Sequence, residues 1–520
     1  MSKDKFLRGA MILTMAGLMV KVIGSVNRIL LSRLLGGEGI GLYQMAYPVY
    51  LLLLSISSAG IPVAISIIVS GYLARGDYSS LRRVFRLSLK MMAGVGLVLA
   101  LALLLAAQWL VDAGVLRDGR AYYALLALTP SIFFASVLAS FRGFFQGHQL
   151  MTPPAVSQIL EQFVRVTTMV ALAYVLLPYG LEYAAAGAAF GALPGSLTGL
   201  AVLGYFYRRY RSMWQAGPEA GAQSSGQESA ARILKRLLLL ALPVSCANIL
   251  VPVTSSIDVL LVPRYLIDSG FTVEQSTTLF GYLAGMAQPL LLMATIPTMS
   301  LATSLVPAVA EAFTLQRRDL IEQKAATAMK LCCLLTLPAA VGMSVLAEPI
   351  SRLLYGTAKA ASAIMHSGPA IWLLGMQQVT TGILQGMGHS SLPMLNMLLG
   401  IGAKLIAVCQ LTNAAYNIAG AAWATNINFG LTAALNIFML RYYKINFYWY
   451  NIGKILLAAG CMGAVAWQSH RLLLAAVGQA GAAVGAIFFA ALFYAALLPL
   501  LGVVTKGELR QLPLLKKFLK

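Results

Sequence analysis

The sequence predicts an all-α, polytopic membrane protein of about fourteen transmembrane helices, arranged as two pseudo-symmetric six-helix lobes plus two C-terminal helices. Three observations support this fold class. Of 520 residues, 59% are apolar and only 11% are charged, whereas soluble proteins carry about 25% charged residues. Apolar runs of about twenty residues, the length that crosses a bilayer, cover nearly the whole chain. Several positions also recur in both halves of the chain at a nearly constant separation.

The apolar runs define the predicted spans. They lie near residues 6–33, 48–73, 87–111, 121–141, 155–177, 184–207, 233–262, 279–310, 328–347, 366–386, 393–413, 417–440, 450–467 and 478–502. Of the 38 Lys and Arg residues, 26 fall in the termini and alternate connectors, and 7 fall in the other connectors. The positive-inside rule therefore predicts a multi-pass membrane protein with both termini cytoplasmic. Because the cations flank apolar runs, the net charge of +21 does not indicate a nucleic-acid partner.

A hydrophilic stretch near the middle of the chain divides it. This stretch is rich in Gly, Ser, Gln and Ala, which is typical of a flexible linker. We expect an N-terminal lobe of spans 1–6 in residues 1–207, a cytoplasmic linker in 208–232 and a C-terminal lobe of spans 7–12 in 233–440. Two additional spans follow in 441–502, and a basic cytoplasmic tail occupies 503–520.

The two predicted lobes resemble each other. The Gln146-Gly147 turn recurs as Gln385-Gly386, and Pro154 recurs as Pro393, each at a separation of 239 residues. At a separation of 231 residues, Asn27 pairs with Asp258 and Arg33 with Arg264. The ordered separations suggest a duplicated six-helix unit, and substrate sites in such transporters lie between the repeats. Asn27, Asp258 and Arg264 are therefore candidate cavity residues.

Four basic residues are expected near the middle of the bilayer: Lys21, Arg28, Arg165 and Lys404. A charge at this depth costs roughly 2.5–3.5 kcal/mol on insertion scales, so each needs a function or a partner. They favour a water-filled central cavity that receives an anion. The alternative is internal ion pairing, for which Glu161 stands four residues before Arg165 on the same helical face.

Asp258 is the last candidate residue, and the sequence lacks the common enzyme motifs. Asp258 is interpreted as a coupling-ion ligand, as a counter-charge to Lys21 and Arg28, or as an interfacial cap near the end of its helix. The sequence contains no Walker, HExxH or GxSxG motif, and its four histidines are scattered. We therefore expect no catalytic residues, no metal site and no cofactor.

Three segments resemble the stage V sporulation protein B family: RGAMILTMAGLMVKVIGSVNRILLSRLLGGEGIGLYQMAYP, FRGFFQGHQLMTPPAVSQILEQFVRV and LPYGLEYAAAGA. That family lies in the polysaccharide-transporter branch of the superfamily shared with the lipid II flippase MurJ and the MATE drug exporters. The resemblance implies fourteen helices in two lobes around a cationic cavity that opens alternately to each membrane face. It implies an undecaprenyl-pyrophosphate-linked saccharide as cargo, namely a peptidoglycan precursor for the spore cortex.

Two other functions stay open. One is a MATE-like, ion-coupled exporter of organic cations, and the other is a scaffold that recruits cell-wall synthases. The predicted mid-membrane residues are mostly basic, which favours an anionic cargo. Peptidoglycan flippases of this superfamily typically place arginines in helices 1, 2 and 8, whereas spans 2 and 8 here contain none. The expected partners are the lipid-linked saccharide, membrane lipids and cell-wall synthases.

Overall fold

The computed structural model describes residues 3–58, 60–215, 229–445 and 450–504. Within these ranges all regular secondary structure is helical. The helices are α1 Lys3–Ser58, α2 Ile61–Ala74, α3 Tyr78–Asp112, α4 Ala121–Gly147, α5 Thr152–Leu176, α6 Leu181–Phe190, α7 Ala192–Gln215, α8 Ala230–Asp268, α9 Val273–Phe280, α10 Gln288–Ala294, α11 Ile296–Thr314, α12 Arg318–Val345, α13 Ala347–Tyr355, α14 Ala361–Ser367, α15 Pro369–Gly386, α16 Ser391–Leu411, α17 Asn417–Tyr442 and α18 Tyr450–Leu500.

Ten helical segments in the described part of the chain are long and apolar enough to cross a membrane. Two of them, Met15–Ala74 with 60 residues and Ile452–Leu500 with 49 residues, are each long enough for two passes. The all-α, multi-pass fold predicted from composition is therefore confirmed.

The predicted connector between spans 1 and 2, residues 34–47, is much shorter in the structure, because the residues that follow Gly36 are helical. At Gly36, where φ is 67° and ψ is −171°, the backbone leaves the helical conformation and divides α1 into two helical parts. A positive φ is strained for residues with a Cβ, so glycine permits this break. The segment after Gly36 packs against α9.

Residues 279–310 were predicted to form one continuous span, span 8, and this prediction was wrong. The structure divides this region into the end of α9, a π-helical segment Gly281–Ala287, α10 and α11. Pro297 stands in the first turn of α11, where the missing N–H of proline costs no helical hydrogen bond. Pro289 directly follows the π-helical segment and lies within the continuous helical run Val273–Ala294.

The chain forms two compact units. The first contains Met1–Arg264 and Thr272–Gly281, and the second contains Tyr265–Phe271 and Tyr282–Lys520. Most of α8 thus groups with the first unit, whereas the predicted C-terminal lobe began at residue 233. A hydrogen bond of 3.1 Å from the Gly60 N–H to Ser245 Oγ ties α8 to the start of α2. The lobe boundaries themselves stay a prediction.

The same glycine-mediated packing occurs in each unit. In the first unit, a Cβ added at Gly143 of α4 would lie 2.7 Å from the Pro62 carbonyl oxygen of α2. In the second unit, a Cβ added at Gly382 of α15 would lie 2.8 Å from the Ala302 carbonyl oxygen of α11. Gly143 and Gly382 are 239 residues apart. One turn later, Gly147 and Gly386 repeat the close approach, against Val69 and Val309.

The turns after these helices repeat as well. Gln149 after α4 and Gly388 after α15 both have positive φ, 58° and 84°, and they are also 239 residues apart. Each turn has the same pair of backbone hydrogen bonds, which includes Leu150 N–H to Phe145 O and His389 N–H to Leu384 O. A left-handed residue that closes a helix in this way is a common C-terminal cap. These matches support the duplication predicted from the sequence.

A polar network around the buried Asp118 lies at the N-terminal end of α4. Arg120 contacts Asp118 through Nε at 3.0 Å and Nη2 at 2.8 Å, and it contacts Glu38 through Nη1 at 2.7 Å. Thr277 of α9 donates to the same Asp118 carboxylate at 2.8 Å. The hydrogen bonds that Arg120 donates to Asp118, and then to Glu38, raise the pKa of Arg120 above its usual range. Asp118 therefore joins α1, α4 and α9 within the first unit.

We expect Asp118→Asn to lower the free energy of unfolding by about 1.5–3 kcal/mol, because a hydrogen bond to a charged group is worth that much. The measurement is the thermal unfolding midpoint of the purified protein in detergent. Asp319→Asn is the matched control, since Asp319 pairs with Arg317 at 2.8 Å but both side chains are largely exposed. Equal shifts of the midpoint in the two variants would contradict the structural role of Asp118.

Candidate functional site

A cluster of charged side chains connects α4 and α5 inside the first unit. Glu161 lies one turn before Arg165 on α5, and its Oε1 accepts a hydrogen bond of 2.7 Å from Arg165 Nη2. Its other oxygen, Oε2, accepts a hydrogen bond of 2.5 Å from Arg142 Nη2 on α4. The three side chains are 12%, 17% and 22% exposed for Glu161, Arg165 and Arg142. One carboxylate is thus shared by two guanidinium groups.

Glycines hold α7 against the part of α5 that carries this cluster. A Cβ added at Gly195 would lie 2.9 Å from Arg165 Cβ and 3.0 Å from the Glu161 carbonyl oxygen. One turn later, a Cβ added at Gly199 would lie 3.2 Å from Glu161 Oε2. Small residues spaced by four allow two helices in a membrane to approach closely. This packing leaves the Glu161 and Arg165 side chains little freedom of position.

An aromatic ladder on α1 lies beside the charged cluster. Tyr43, Tyr47 and Tyr50 follow one helical face, with ring centroids 5.3 Å and 5.9 Å apart in succession. The Arg28 guanidinium lies 5.2 Å from the centre of the Tyr47 ring, which is a cation–π distance. Helix α1, which carries the tyrosines, packs along α5, which carries Glu161 and Arg165. We call Arg28, Tyr43, Tyr47, Tyr50, Arg142, Glu161 and Arg165 the cationic cluster.

The cationic cluster carries excess positive charge. It contains three guanidinium groups and one carboxylate, and no carboxylate contacts Arg28 among the residues that the structure describes. The Nε atoms of Arg142 and Arg165 are buried without a hydrogen-bond partner in this part of the chain. Unused donors and unbalanced charge are features that an anionic ligand would satisfy.

Lys21 and Asn27 lie on the same helix as Arg28. Lys21 is exposed, and it shares a helical face with Arg28 because seven residues make about two turns. Asn27 is only 5% exposed, and its Nδ2 donates a weak hydrogen bond of 3.4 Å to Met169 Sδ on α5. Its Oδ1 has no hydrogen-bond partner within the described ranges. Both residues therefore adjoin the cationic cluster along α1.

The other three candidates occupy different places. Asp258 on α8 is 2% exposed, and Arg264, six residues further along the same helix, is exposed. Lys404 on α16 of the second unit is 1% exposed, one turn after Gly400, where α17 approaches through Asn428. Lys404 is thus buried against protein in this structure, and is not open to a ligand.

Sequence reasoning missed Arg142 and the three tyrosines as site residues. Arg142 was assigned to a cytoplasmic connector because predicted span 4 ended at residue 141, but α4 continues to Gly147. The tyrosines fell in the predicted connector between spans 1 and 2. Their spacing of four and then three residues is helical, and it was the available signal for an aromatic face on α1.

Comparison with known proteins identifies the family. Residues 6–313, more than half of the chain, match the family described as "Polysaccharide biosynthesis protein". The chain belongs to this family. Residues 281–410 also match the MatE family. Both matches agree with the family resemblance of the three sequence segments.

Relatives and solved structures agree with this assignment. The chain is 29% identical to stage V sporulation protein B of Bacillus subtilis (strain 168), with 100% of both chains covered. It is 27% identical to the lipid II flippase MurJ of the same organism, over 78% of this chain and 76% of that protein. The solved structure of lipid II flippase MurJ in an inward closed conformation has a TM-score of 0.70 at 15% identity, and covers 94% of this chain and 98% of that one.

Proposed function

We propose that this polysaccharide biosynthesis family member is a flippase for an undecaprenyl-pyrophosphate-linked saccharide, a peptidoglycan precursor for the spore cortex. The observation that carries the proposal is the cationic cluster. Three arginines share a single carboxylate within helices that cross the membrane. A pyrophosphate is the part of such a cargo that most needs cationic partners once it leaves water.

Physical considerations favour an anion at the cationic cluster. Guanidinium groups bind phosphate oxygens in a bidentate geometry, and such contacts are stronger where water is scarce. The Arg28 guanidinium lies over the Tyr47 ring and makes no ion pair with the residues that the structure describes, so its donors are available to a ligand. The tyrosine ladder offers flat apolar surface and hydroxyl groups, a combination suited to a sugar ring next to a phosphate.

The remaining candidates complete the proposed pathway. We infer that Lys21, Asn27, Asp258, Arg264 and Lys404 contact the cargo or tune the cavity in other conformations of an alternating-access cycle. Movements of the two predicted lobes would open the predicted central cavity first to one membrane face and then to the other. The names of two relatives, a sporulation protein and a lipid II flippase, support a cell-wall precursor as cargo.

The alternative is a MATE-like exporter of organic cations. A site for a cation needs acidic or aromatic surfaces with an excess of negative charge. In the described first unit, the cationic cluster has the opposite balance, and its carboxylate is occupied by two arginines. The excess of positive charge favours the anionic cargo.

The test measures translocation of fluorescent lipid II by the protein in proteoliposomes. Translocated lipid II becomes accessible to a quencher outside the vesicles, so its fluorescence decreases. We expect Arg28→Ala to weaken cargo binding by roughly 10–100-fold, because a charge-assisted contact is worth about 1.5–3 kcal/mol. Arg82→Ala is the matched control, since Arg82 is exposed on α3 and its charge is screened. No translocation by the parent protein, or full activity of a folded Arg28→Ala variant, would reject the proposal.

Orientation in the membrane is a separate expectation. In a background without the five native cysteines, a cysteine at Gly119, between α3 and α4, should react with an impermeant maleimide added to intact cells. Cysteines at Gly217 and Gln511, both outside the described residues, should react only after the cells are opened, since we propose that both termini are cytoplasmic. External labelling at position 217 would contradict this topology.

A further inference from the structure

We propose that a groove between α1 and α5 of the first unit binds the phosphate end of a polyprenyl phosphate together with its adjoining chain. The groove has a volume of about 730 Å³. This inference rests on the proposed function, because it assigns a lipid-chain site to the same cargo. It concerns residues outside the cationic cluster, and it can fail while the proposed function stands.

The walls of the groove suit a hydrocarbon chain. On α1 the wall is formed by Leu30 and Leu34, and on α5 by Val166, Val170 and Ala171. Thr167 also lines it, but its hydroxyl donates to the Phe163 carbonyl of its own helix at 3.0 Å, so it offers little to a polar ligand. A soluble anion such as inorganic phosphate would gain nothing from these walls, whereas an apolar chain would bury surface against them.

Arg33 gives this apolar groove a site for a negative charge. It is exposed, it lines the groove, and it makes no ion pair within the described residues. A guanidinium beside apolar surface, without a carboxylate partner, matches a phosphate in charge and in hydrogen-bonding geometry. The groove therefore pairs one cation with one apolar channel, which is the chemistry of a lipid phosphate.

The dimensions and position of the groove suit the start of a prenyl chain linked to the cargo. The α5 wall from Val166 to Tyr174 is about 12 Å long at about 1.5 Å per residue, so the groove accommodates only the first part of a long prenyl chain. Val166 directly follows Arg165, so the helix that carries the cationic cluster also forms the groove wall. A polyprenyl chain in the groove would thus be attached to a headgroup within reach of the cluster.

The experiment uses undecaprenyl monophosphate that carries a photoreactive diazirine in its first isoprene units. The full-length protein in nanodiscs is irradiated, and cross-linked peptides are mapped by mass spectrometry. We expect cross-links within residues 166–174, reduced at least 10-fold by Arg33→Gln and by Ala171→Trp, which fills the channel. Val175→Trp is the matched control: Val175 is 59% exposed on the same helix, does not line the groove, and should leave the yield unchanged.

Competition and a second readout separate the outcomes. If phosphatidylglycerol abolishes the cross-links at a concentration equal to that of the photoreactive lipid, the proposal is overturned and the groove is a general phospholipid site. Absence of cross-links in the parent, or equal yields in a folded Arg33→Gln variant, would overturn it too. Lipid II translocation is measured on the same samples. Intact translocation together with absent groove cross-links rejects the groove alone, whereas absent translocation with groove cross-links present rejects the proposed function.

Discussion

Arg165→Gln is expected to reduce lipid II translocation by roughly 10–100-fold while the protein still folds. The variant removes one guanidinium from the cationic cluster, but Glu161 keeps its hydrogen bond of 2.5 Å with Arg142. The buried carboxylate is therefore not left without a partner, which would cost more stability. The loss should appear in translocation and cargo affinity, because charge-assisted contacts are worth about 1.5–3 kcal/mol. The thermal unfolding midpoint should change much less.

The double variant Glu161→Gln with Arg165→Gln distinguishes binding from structure. It restores the net charge that Arg142, Glu161 and Arg165 have in the parent, with one cation in place of two cations and one anion. If the three residues only hold α4 and α5 together, the neutral pair should recover activity. If Arg165 contacts the pyrophosphate directly, the double variant should remain impaired. Recovery to the level of the parent protein would contradict the proposed role of the cationic cluster.

Gly143→Ala and Gly382→Ala are expected to destabilise the protein by about 1–3 kcal/mol each, the usual cost of overpacking a well-packed contact. The added Cβ would lie 2.7 Å and 2.8 Å from backbone carbonyl oxygens of the neighbouring helices, so the helices must separate. The two losses should be similar, because the residues are equivalent positions of the internal repeat. Unfolding midpoints in detergent provide the measurement.

Gly94→Ala and Gly402→Ala are the controls for these substitutions. A Cβ at either glycine would meet no atom within 4 Å. Since alanine is favoured over glycine inside helices by roughly 0.5–1 kcal/mol, both controls should be neutral or slightly stabilising. The same chemical change should thus have opposite signs at the two kinds of site. Destabilisation of equal size in all four variants would show that close helix packing is not its cause.

The sequence was sufficient for features that depend on local chemistry. The length of the apolar runs predicted the multi-pass fold. The two Gln-Gly turns suggested the repeat, because the cap at the end of a helix depends on only a few residues. The pairing of Glu161 with Arg165 was also anticipated, since residues four apart share a helical face.

The features that failed depend on tertiary contacts. Gly36, Gly37 and Glu38 interrupt the hydrophobic pattern, so the sequence predicted a connector of residues 34–47; the helix does break at Gly36, but the residues after it are helical and contact Arg120 and α9. Arg142 was predicted to lie in a connector, whereas α4 continues to Gly147. Its pairing with Glu161 spans 19 residues and two helices, and no periodicity within one helix reports such a contact.

The shared carboxylate of Glu161 also bears on how quickly a cargo can leave. A carrier that holds its ligand only through bare cations would bind tightly and release slowly, and most differences in affinity appear in the dissociation rate. Under the proposed function, Glu161 would compete with phosphate oxygens for the same guanidinium groups and would occupy them as soon as the cargo begins to depart. By lowering the affinity for the anion, Glu161 would shorten the residence time of the cargo and so raise the turnover rate.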